Sequence, residues 1–334
     1  MTESGDDQRI HPETESAGRK KSNWIFKLIT YAITIVCFYL VFNKTEATAA
    51  REGLTVLEYL SRFFAEADWT AWLALMGAYS LFFILVDSHA IWRAVRWFNV
   101  PELKLKELLP IRASAYILSL TNEQVGKGAL SAYLWQRHDV PGWRALSTMI
   151  MVGMVEIYQL MLFSAIGVFL YFELVQQASS ATALDVILPN IFLCAAIYLP
   201  IHIAFFRGLF GKDYKLRNVQ IFHAFREAGP SKYLKLLLFK APTLLGAVAV
   251  YTLALQLFNV DVGFGQMLAF LPVIFLAAAL PLPFHSGALL LWTVLFPDYP
   301  EVGAFSLIMH TFFVLFNAGV GVIFLNKVNK ELGW

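Results

Sequence analysis

Long runs of apolar residues, separated by short polar and basic stretches, dominate the chain. Six of these runs come close to the length of about 20 residues that an α-helix needs to cross a bilayer. We predict transmembrane helices at residues 24–42, 69–91, 145–172, 186–206, 236–260 and 304–326. Between the first two, residues 44–68 place apolar side chains at helical spacing among acidic ones. This pattern predicts an amphipathic segment on the outer membrane boundary.

Two further regions contain apolar runs that are too short to cross, near residues 103–144 and 264–297. The run at 266–280 would be roughly 22 Å long as a helix, against a hydrocarbon core of roughly 30 Å. A break follows it, in which Pro281 and Pro283 each remove a backbone donor. Broken helices at membrane depth are tolerated where protein or water surrounds them. Both regions are therefore predicted to be re-entrant helical hairpins.

The distribution of basic residues predicts the orientation. If both hairpins return to the face from which they enter, only Lys44, Arg51 and Arg62 of the 26 Lys and Arg residues lie outside. If the second hairpin crossed instead, Lys327 and Lys330 would also lie outside. Because basic residues concentrate on the cytoplasmic side, the re-entrant arrangement is favoured. We expect a multi-pass protein of the cell (inner) membrane with both termini cytoplasmic.

The predicted elements fall into two halves. Residues 1–22 are polar and are predicted to be a disordered cytoplasmic tail. Residues 23–173 and 174–334 would each contain three spans and one hairpin, and they would start from opposite faces. The predicted fold is an all-α polytopic membrane protein with an inverted-topology repeat, an arrangement that many transporters use. A content of 58% hydrophobic and 15% charged residues excludes an ordinary soluble domain.

Each predicted break leads into a short helix whose N-terminus presents unpaired N–H groups and the positive end of a dipole, which suits a phosphate. Lys127 stands at the first break and His285 at the second. Alternatively, Lys127 extends to the membrane boundary and His285 donates to a freed carbonyl. The predicted headgroup-binding residues are Asn122, Glu123, Gly126, Lys127, Gly128, Glu156, Pro281, Pro283, His285, Ser286, Gly287 and His310.

Glu156 lies in the middle of a predicted span, where an ionised carboxylate is costly and is by default a functional candidate. It would pair with Lys127 or exchange a proton, and the alternative is a protonated side chain in a hydrogen bond between helices. Asp87 and His89 lie near the end of a span, so that capping in water and a role in the site both stay open. His310 has no obvious partner in the sequence.

Two stretches resemble the flippase-like family, which comprises the transmembrane region of lysylphosphatidylglycerol synthases and its stand-alone relatives. Residues 122–146 are similar to the Gly-Glu hairpin of that family and its basic, Val-Pro continuation, and residues 280–287 to its Leu-Pro, Gly-rich second hairpin. The resemblance extends over about residues 69–325. It implies movement of aminoacylated phospholipids, polyprenyl-linked sugars or hopanoids between leaflets.

The chain departs from the family pattern at several charged positions. Lys127 stands where the family usually has Glu, and Leu290 and Leu291 replace an Arg-Glu pair. Glu156 and His310 fall about where the family has an Asp and an Arg. These departures affect the expected substrate more than the expected fold.

The function expected first is transbilayer movement of an anionic lipid or lipid-linked precursor by alternating access. The alternative is a non-transporting membrane scaffold for a lipid-modifying enzyme or glycosyltransferase, which the lost charged pairs favour. The chain lacks a Gly-rich nucleotide loop, a zinc-type His-Glu-x-x-His motif and a nucleophile elbow, and we expect no enzymatic activity. A membrane-embedded enzyme is the third alternative, which turnover of a lipid substrate would test. No metal, cofactor or nucleic acid is expected, and the lipid, the coupling ion and the oligomeric state stay open.

Overall fold

The computed structural model describes residues 13–120, 123–178, 183–211, 213–280 and 282–332. Over these residues the chain forms thirteen α-helices and no β-strand. They are α1 (Glu13–Arg51), α2 (Val56–Ala65), α3 (Trp69–Phe98), α4 (Leu105–Ser119), α5 (Glu123–His138), α6 (Gly142–Leu170), α7 (Phe172–Ala178), α8 (Leu184–Arg207), α9 (His223–Glu227), α10 (Pro230–Gln256), α11 (Phe264–Ala278), α12 (Ser286–Leu295) and α13 (Val302–Leu332).

Six of the described helices are long and apolar enough to cross a membrane, which confirms the predicted spans. Their candidate membrane segments are Lys27–Arg51, Trp69–Phe98, Gly142–Leu170, Leu184–Arg207, Pro230–Gln256 and Val302–Lys330. The first helix extends further than predicted at both ends. It already includes Glu13, inside the predicted tail, whose residues 1–12 lie outside the described part of the chain. It also continues to Arg51, so that the amphipathic helix is only α2.

The predicted hairpin regions each contain a pair of short helices that pack against each other, α4 with α5 and α11 with α12. The first pair differs from the prediction in its linker. Lys127 was predicted to stand at a break, but α5 begins at Glu123 and places Gly126, Lys127 and Gly128 in its first two turns. The N-terminus of this helix therefore lies ahead of Lys127. In the second pair, α12 begins at Ser286, directly after His285 of the predicted break.

Two sets of contacts mark the two ends of the helix bundle. The guanidinium of Arg144, at the start of α6, donates to the carbonyl oxygen of Phe98, at the end of α3, at 3.0 and 3.1 Å. We call this the Arg144 end. Phe258, just after α10, and Phe305, near the start of α13, have ring centroids 5.1 Å apart. The ring centroid of Phe258 also lies 5.3 Å from that of Trp69, the first residue of α3. Because Phe98 is the last residue of α3, these contacts lie at the opposite end of the bundle, which we call the Phe258 end.

The two halves of the chain pack against each other through three pairs of helices. Helix α4 packs along α13, α11 packs along α6, and α3 packs along α10. Glycine permits the closest of these approaches, because a Cβ atom on Gly167 of α6 would lie 2.4 Å from the Leu268 oxygen of α11. A Cβ atom on Gly321 of α13 would lie 2.5 Å from the Ala113 oxygen of α4. Helices α4 and α11 thus each fit against a backbone surface of the other half.

Gly321→Ala is expected to destabilise the protein by about 1–3 kcal/mol, because the added methyl group meets backbone that cannot move aside. Gly319 is a matched control on the same helix, since a Cβ atom there would meet no atom within 4 Å. Gly319→Ala should be neutral or stabilising by up to about 1 kcal/mol, because alanine favours helix more than glycine does. Unfolding of both variants in detergent would measure the difference. Equal stabilities of the two variants would contradict the close packing of α4 on α13.

Helix α2 is fixed to the Phe258 end by one buried hydrogen bond. Its N-cap, Thr55, forms a capping box with Glu58. On its inner face, the hydroxyl of Tyr59 donates to Oε2 of Glu301 at 2.6 Å, and both residues are buried. Burial raises the pKa of Glu301 above its ordinary value of 4.5 and also raises the pKa of Tyr59.

The raised pKa of Glu301 predicts a pH-dependent stability. A carboxyl group with a higher pKa in the folded state contributes its full stability below the ordinary Glu range and loses it as the pH rises through the folded pKa. The melting temperature of the wild type should therefore fall relative to that of Glu301→Gln as the pH rises from below 4.5 to neutrality. If the melting temperatures of the two proteins changed equally with pH over this range, the raised pKa of Glu301 would be contradicted.

Candidate functional site

A cluster of charged side chains lies inside the helix bundle. Asp87 of α3, Arg112 of α4, Glu156 of α6 and Lys240 of α10 come from four different helices. Asp87 pairs with Arg112 and with Lys240, and Lys240 also pairs with Glu156. We call these four residues the charge cluster. Because the two carboxylates match the two cations in number, the cluster is neutral overall when all four are ionised.

Asp87 is the centre of this cluster and has no exposed surface. Its Oδ2 atom accepts from Arg112 Nε at 2.7 Å and from the Tyr116 hydroxyl at 3.0 Å, and its Oδ1 atom accepts from Lys240 Nζ at 2.5 Å. The Arg112 guanidinium also lies 4.6 Å from the centroid of the Tyr116 ring. A buried carboxylate is tolerated only with such partners, because its desolvation costs several kcal/mol.

Glu156 forms the open edge of the cluster. Its side chain is 32% exposed, whereas that of Lys240 is 2% exposed and that of Asp87 is 1% exposed. Lys240 therefore bridges a fully enclosed carboxylate and one that faces outward from the packed interior. Lys240 thus keeps the Asp87 carboxylate as a partner even where Glu156 is turned away from it.

The cluster lies where two apolar cores meet. On α3, Asp87 lies between Tyr79, which belongs to the core nearer the Phe258 end, and Ile91, which belongs to the core nearer the Arg144 end. On α10, Lys240 lies between Leu236, which belongs to the core nearer the Arg144 end, and Ala247, which belongs to the core nearer the Phe258 end. The charges thus interrupt the apolar interior along the length of the bundle, where an ionisable side chain is by default a functional candidate.

The break between α11 and α12 forms a second polar group. Phe284 and His285 both have left-handed backbone, with φ of 55° and 50°. The ring of His285 lies 4.5 Å from that of His310 on α13, which supplies the partner that the sequence did not reveal. Neither histidine is buried within the chain.

The residues next to His285 hold the start of α12 in place. Ser286 is buried, and its hydroxyl donates to Thr34 Oγ1 of α1 at 3.2 Å. Gly287 permits close packing, since a Cβ atom there would lie 3.3 Å from Leu282 and 3.4 Å from the Ala277 oxygen. Pro283 begins a short 3-10 turn ahead of the helix, and Pro281 lies outside the described residues. The role predicted for Ser286 at an anion site therefore competes with its bond to α1.

The residues predicted at the first break are described only in part. Asn122 lies outside the described residues, and for Glu123 and Lys127 the structure describes the backbone alone. Gly126 is buried, and Gly128 would have open space around a Cβ atom. The described contacts pair Glu156 with Lys240, and its predicted pairing with Lys127 stays a prediction.

Sequence reasoning missed three members of the charged network, Arg112, Tyr116 and Lys240. Arg112 and Lys240 were counted among the basic residues of the cytoplasmic side, and Asp87 was left open between a cap and a site. The structure instead buries all three, together with Tyr116. The available signal was the position of Lys240 inside a run otherwise long enough to span. Within the described part of the chain, no three His, Cys, Asp or Glu side chains are arranged to hold a metal ion.

Comparison with the profiles of known protein families, with curated proteins and with solved structures gave no match to this chain. The fold and the charge cluster are therefore the observations from which a function has to be argued.

Proposed function

We propose that the protein moves an anionic lipid, or a lipid-linked precursor, between the leaflets of the cell membrane, as the resemblance to the flippase-like family implies. The observation that supports this most strongly is the charge cluster, in which Lys240 is shared between Asp87 and Glu156. Four ionisable side chains from four helices are costly inside a membrane protein, and such residues commonly mark substrate or ion pathways.

In the proposed mechanism, the headgroup phosphate replaces Glu156 as the outer partner of Lys240. The exchange keeps the number of negative charges around Lys240 constant, so that the phosphate enters without leaving a cation unpaired. Glu156 is suited to this exchange because it is the more exposed of the two carboxylates. Protonation would release it from Lys240, and deprotonation would restore the pair and expel the headgroup. Asp87 and Arg112 hold Lys240 in position throughout.

The helix packing supports the proposed inverted-topology repeat with two re-entrant hairpins. The first half contributes α3 to α6 and the second α10 to α13, and contacts in one half have counterparts in the other. The packing of α4 on α13 corresponds to that of α11 on α6. The elements that flank the α4–α5 pair meet at the Arg144 end, and those that flank the α11–α12 pair meet at the Phe258 end. Transporters with this architecture bind their substrate where the broken helices meet.

We infer that the end of α4 and the break between α11 and α12 approach each other along α13. The Ser114 hydroxyl donates to the Gly321 oxygen at 3.4 Å, and α4 is inferred to run antiparallel to α13 because it begins near the Arg144 end, where α13 finishes. The last residue of α4, Ser119, should then lie opposite about residue 316, roughly 9 Å along the axis from His310. We propose that His285 and His310, next to that break, contact the headgroup on the side of the Phe258 end, and that the charge cluster contacts it on the other side.

The scaffold function remains the second candidate, and one observation favours it. Only 11% of the candidate span in α8 is buried, the smallest share among the six described spans, so that this helix offers a long apolar face to a partner or to lipid. A glycosyltransferase or lipid-modifying enzyme bound to α8 would co-purify with the protein in mild detergent. Stable co-purification, together with no lipid movement by the isolated protein, would decide for this function.

Reconstitution into sealed vesicles tests transport directly. We expect the purified full-length protein to move fluorescent phosphatidylglycerol between leaflets faster than fluorescent phosphatidylcholine, because only the former carries a net negative headgroup for Lys240. Protein-free vesicles give the background rate. Movement at background rate for both lipids, or at the same rate for both, would contradict the proposed role of the charge cluster in selecting an anion.

A further inference from the structure

A pocket lined by cations lies at the Arg144 end. This surface pocket of about 500 Å³ lies between the end of α5 and the last turns of α13. Its described lining residues are Arg137, Ile323, Asn326, Lys327 and Lys330. These described residues comprise three cations, one amide and one aliphatic side chain, with no carboxylate among them. Two helices thus bring like charges together around a space large enough for a ligand group.

The composition of the pocket changes along α13. Ile323, which is 76% exposed, lies seven positions before Lys330, or roughly 10 Å along the helix. Lys330 is also the last residue of the candidate membrane span. The lining therefore passes from apolar to cationic at the point where the span ends. The exposed side chain of Trp135, near the end of α5, is of the type that anchors helices at this boundary.

We propose that this pocket binds the phosphate of an anionic phospholipid in the adjoining leaflet. The three cations and the Asn326 amide supply donors for phosphate oxygens. Ile323 lies against the first part of an acyl chain, which a free phosphate would not use. An alternative explanation of these cations is that each one stabilises the negative end of its own helix dipole. That explanation does not require residues of α5 and α13 to line one pocket, or the pocket to have an apolar edge. The inference concerns binding alone, and it holds whether or not the lipid is then moved.

Native mass spectrometry of the full-length protein in detergent tests this site with phosphatidylglycerol as the probe. The pocket variant carries Arg137→Gln, Lys327→Gln and Lys330→Gln. The control variant carries Lys106→Gln, Lys215→Gln and Lys235→Gln, which removes the same charge from exposed lysines that do not line the pocket. Retention should fall roughly 100-fold in the pocket variant, at about fivefold for each cation, and less than about fivefold in the control. Equal losses in both would overturn the proposal.

Inorganic phosphate distinguishes the two possible sources of the ligand group. If the site takes a lipid, Ile323→Ser should weaken retention of phosphatidylglycerol, and millimolar inorganic phosphate should not displace it. Displacement by inorganic phosphate, with no effect of Ile323→Ser, would assign the pocket to a free anion and overturn the lipid. Normal retention of phosphatidylglycerol by the unmodified protein, together with no lipid movement in sealed vesicles, would count against the proposed function and leave this site intact.

Discussion

Replacing Lys240 with methionine is expected to lower the free energy of unfolding by about 3–5 kcal/mol, because it leaves the enclosed Asp87 carboxylate without one of its two cations. Methionine keeps most of the length and volume of the side chain, so that the effect reports the charge rather than a cavity. Denaturant titration in detergent or thermal unfolding would measure it. The loss should be among the largest that any single substitution in the spans produces.

Lys235→Met is the matched control for this prediction, since Lys235 is exposed on the same helix. Its effect should stay within about 0.5 kcal/mol. Combining Lys240→Met with Asp87→Asn should cost less than the sum of the two single changes, because residues that share an ion pair are not additive. Full additivity, or a Lys240→Met variant as stable as Lys235→Met, would mean that the pair contributes nothing to the fold.

Glu156→Gln is expected to reduce transport of an anionic headgroup at least tenfold while the protein stays folded. Glutamine cannot release a proton or carry the charge that the phosphate replaces, yet Asp87 still compensates Lys240. The rate of phosphatidylglycerol movement in sealed vesicles measures the effect, and melting temperature verifies the fold. Glu173→Gln, an exposed carboxylate on α7, serves as the control and should keep the wild-type rate.

The outcome that contradicts this assignment is a Glu156→Gln variant that transports at the wild-type rate. A variant that loses transport and folding together would instead place Glu156 with the structural residues. An intermediate test is Glu156→Asp, which keeps the charge on a shorter side chain and should restore part of the rate. If Glu156→Asp and Glu156→Gln transported equally slowly, a negative charge at this residue would not be sufficient for transport, and the carboxylate would also have to occupy the position that Glu156 gives it.

The sequence predicted the helices well because length and hydropathy determine them. Six spans, two pairs of short helices and the amphipathic α2 all follow from the pattern of apolar runs. The observed helix boundaries differ from the predicted ones where polar residues extend a helix beyond its apolar run. Helix α1 continues past Lys44, whose amine donates to the Thr293 oxygen of α12, and α5 includes the polar residues ahead of its apolar part.

The site was harder to predict because its residues are joined only in three dimensions. Asp87 and Lys240 are 153 positions apart, and each lies near the end of an apolar run, where a charge normally faces water. Only the packing of α3 on α10 turns both inward. Glu156 was recognised because it interrupts the middle of a run. His310 was recognised for the same reason, but its partner His285 depended on the path of the break.

The central claim is that each pair of short helices returns to the membrane face from which it starts. Single cysteines in a variant without Cys37 and Cys194 test this in sealed vesicles with an impermeant thiol reagent. We predict that cysteines at Glu102 and Gly142 react from one face, and that cysteines at Asp261 and Asp298 both react from the other. Labelling of Asp261 and Asp298 from opposite faces, or of Glu102 and Gly142 from opposite faces, would contradict the account.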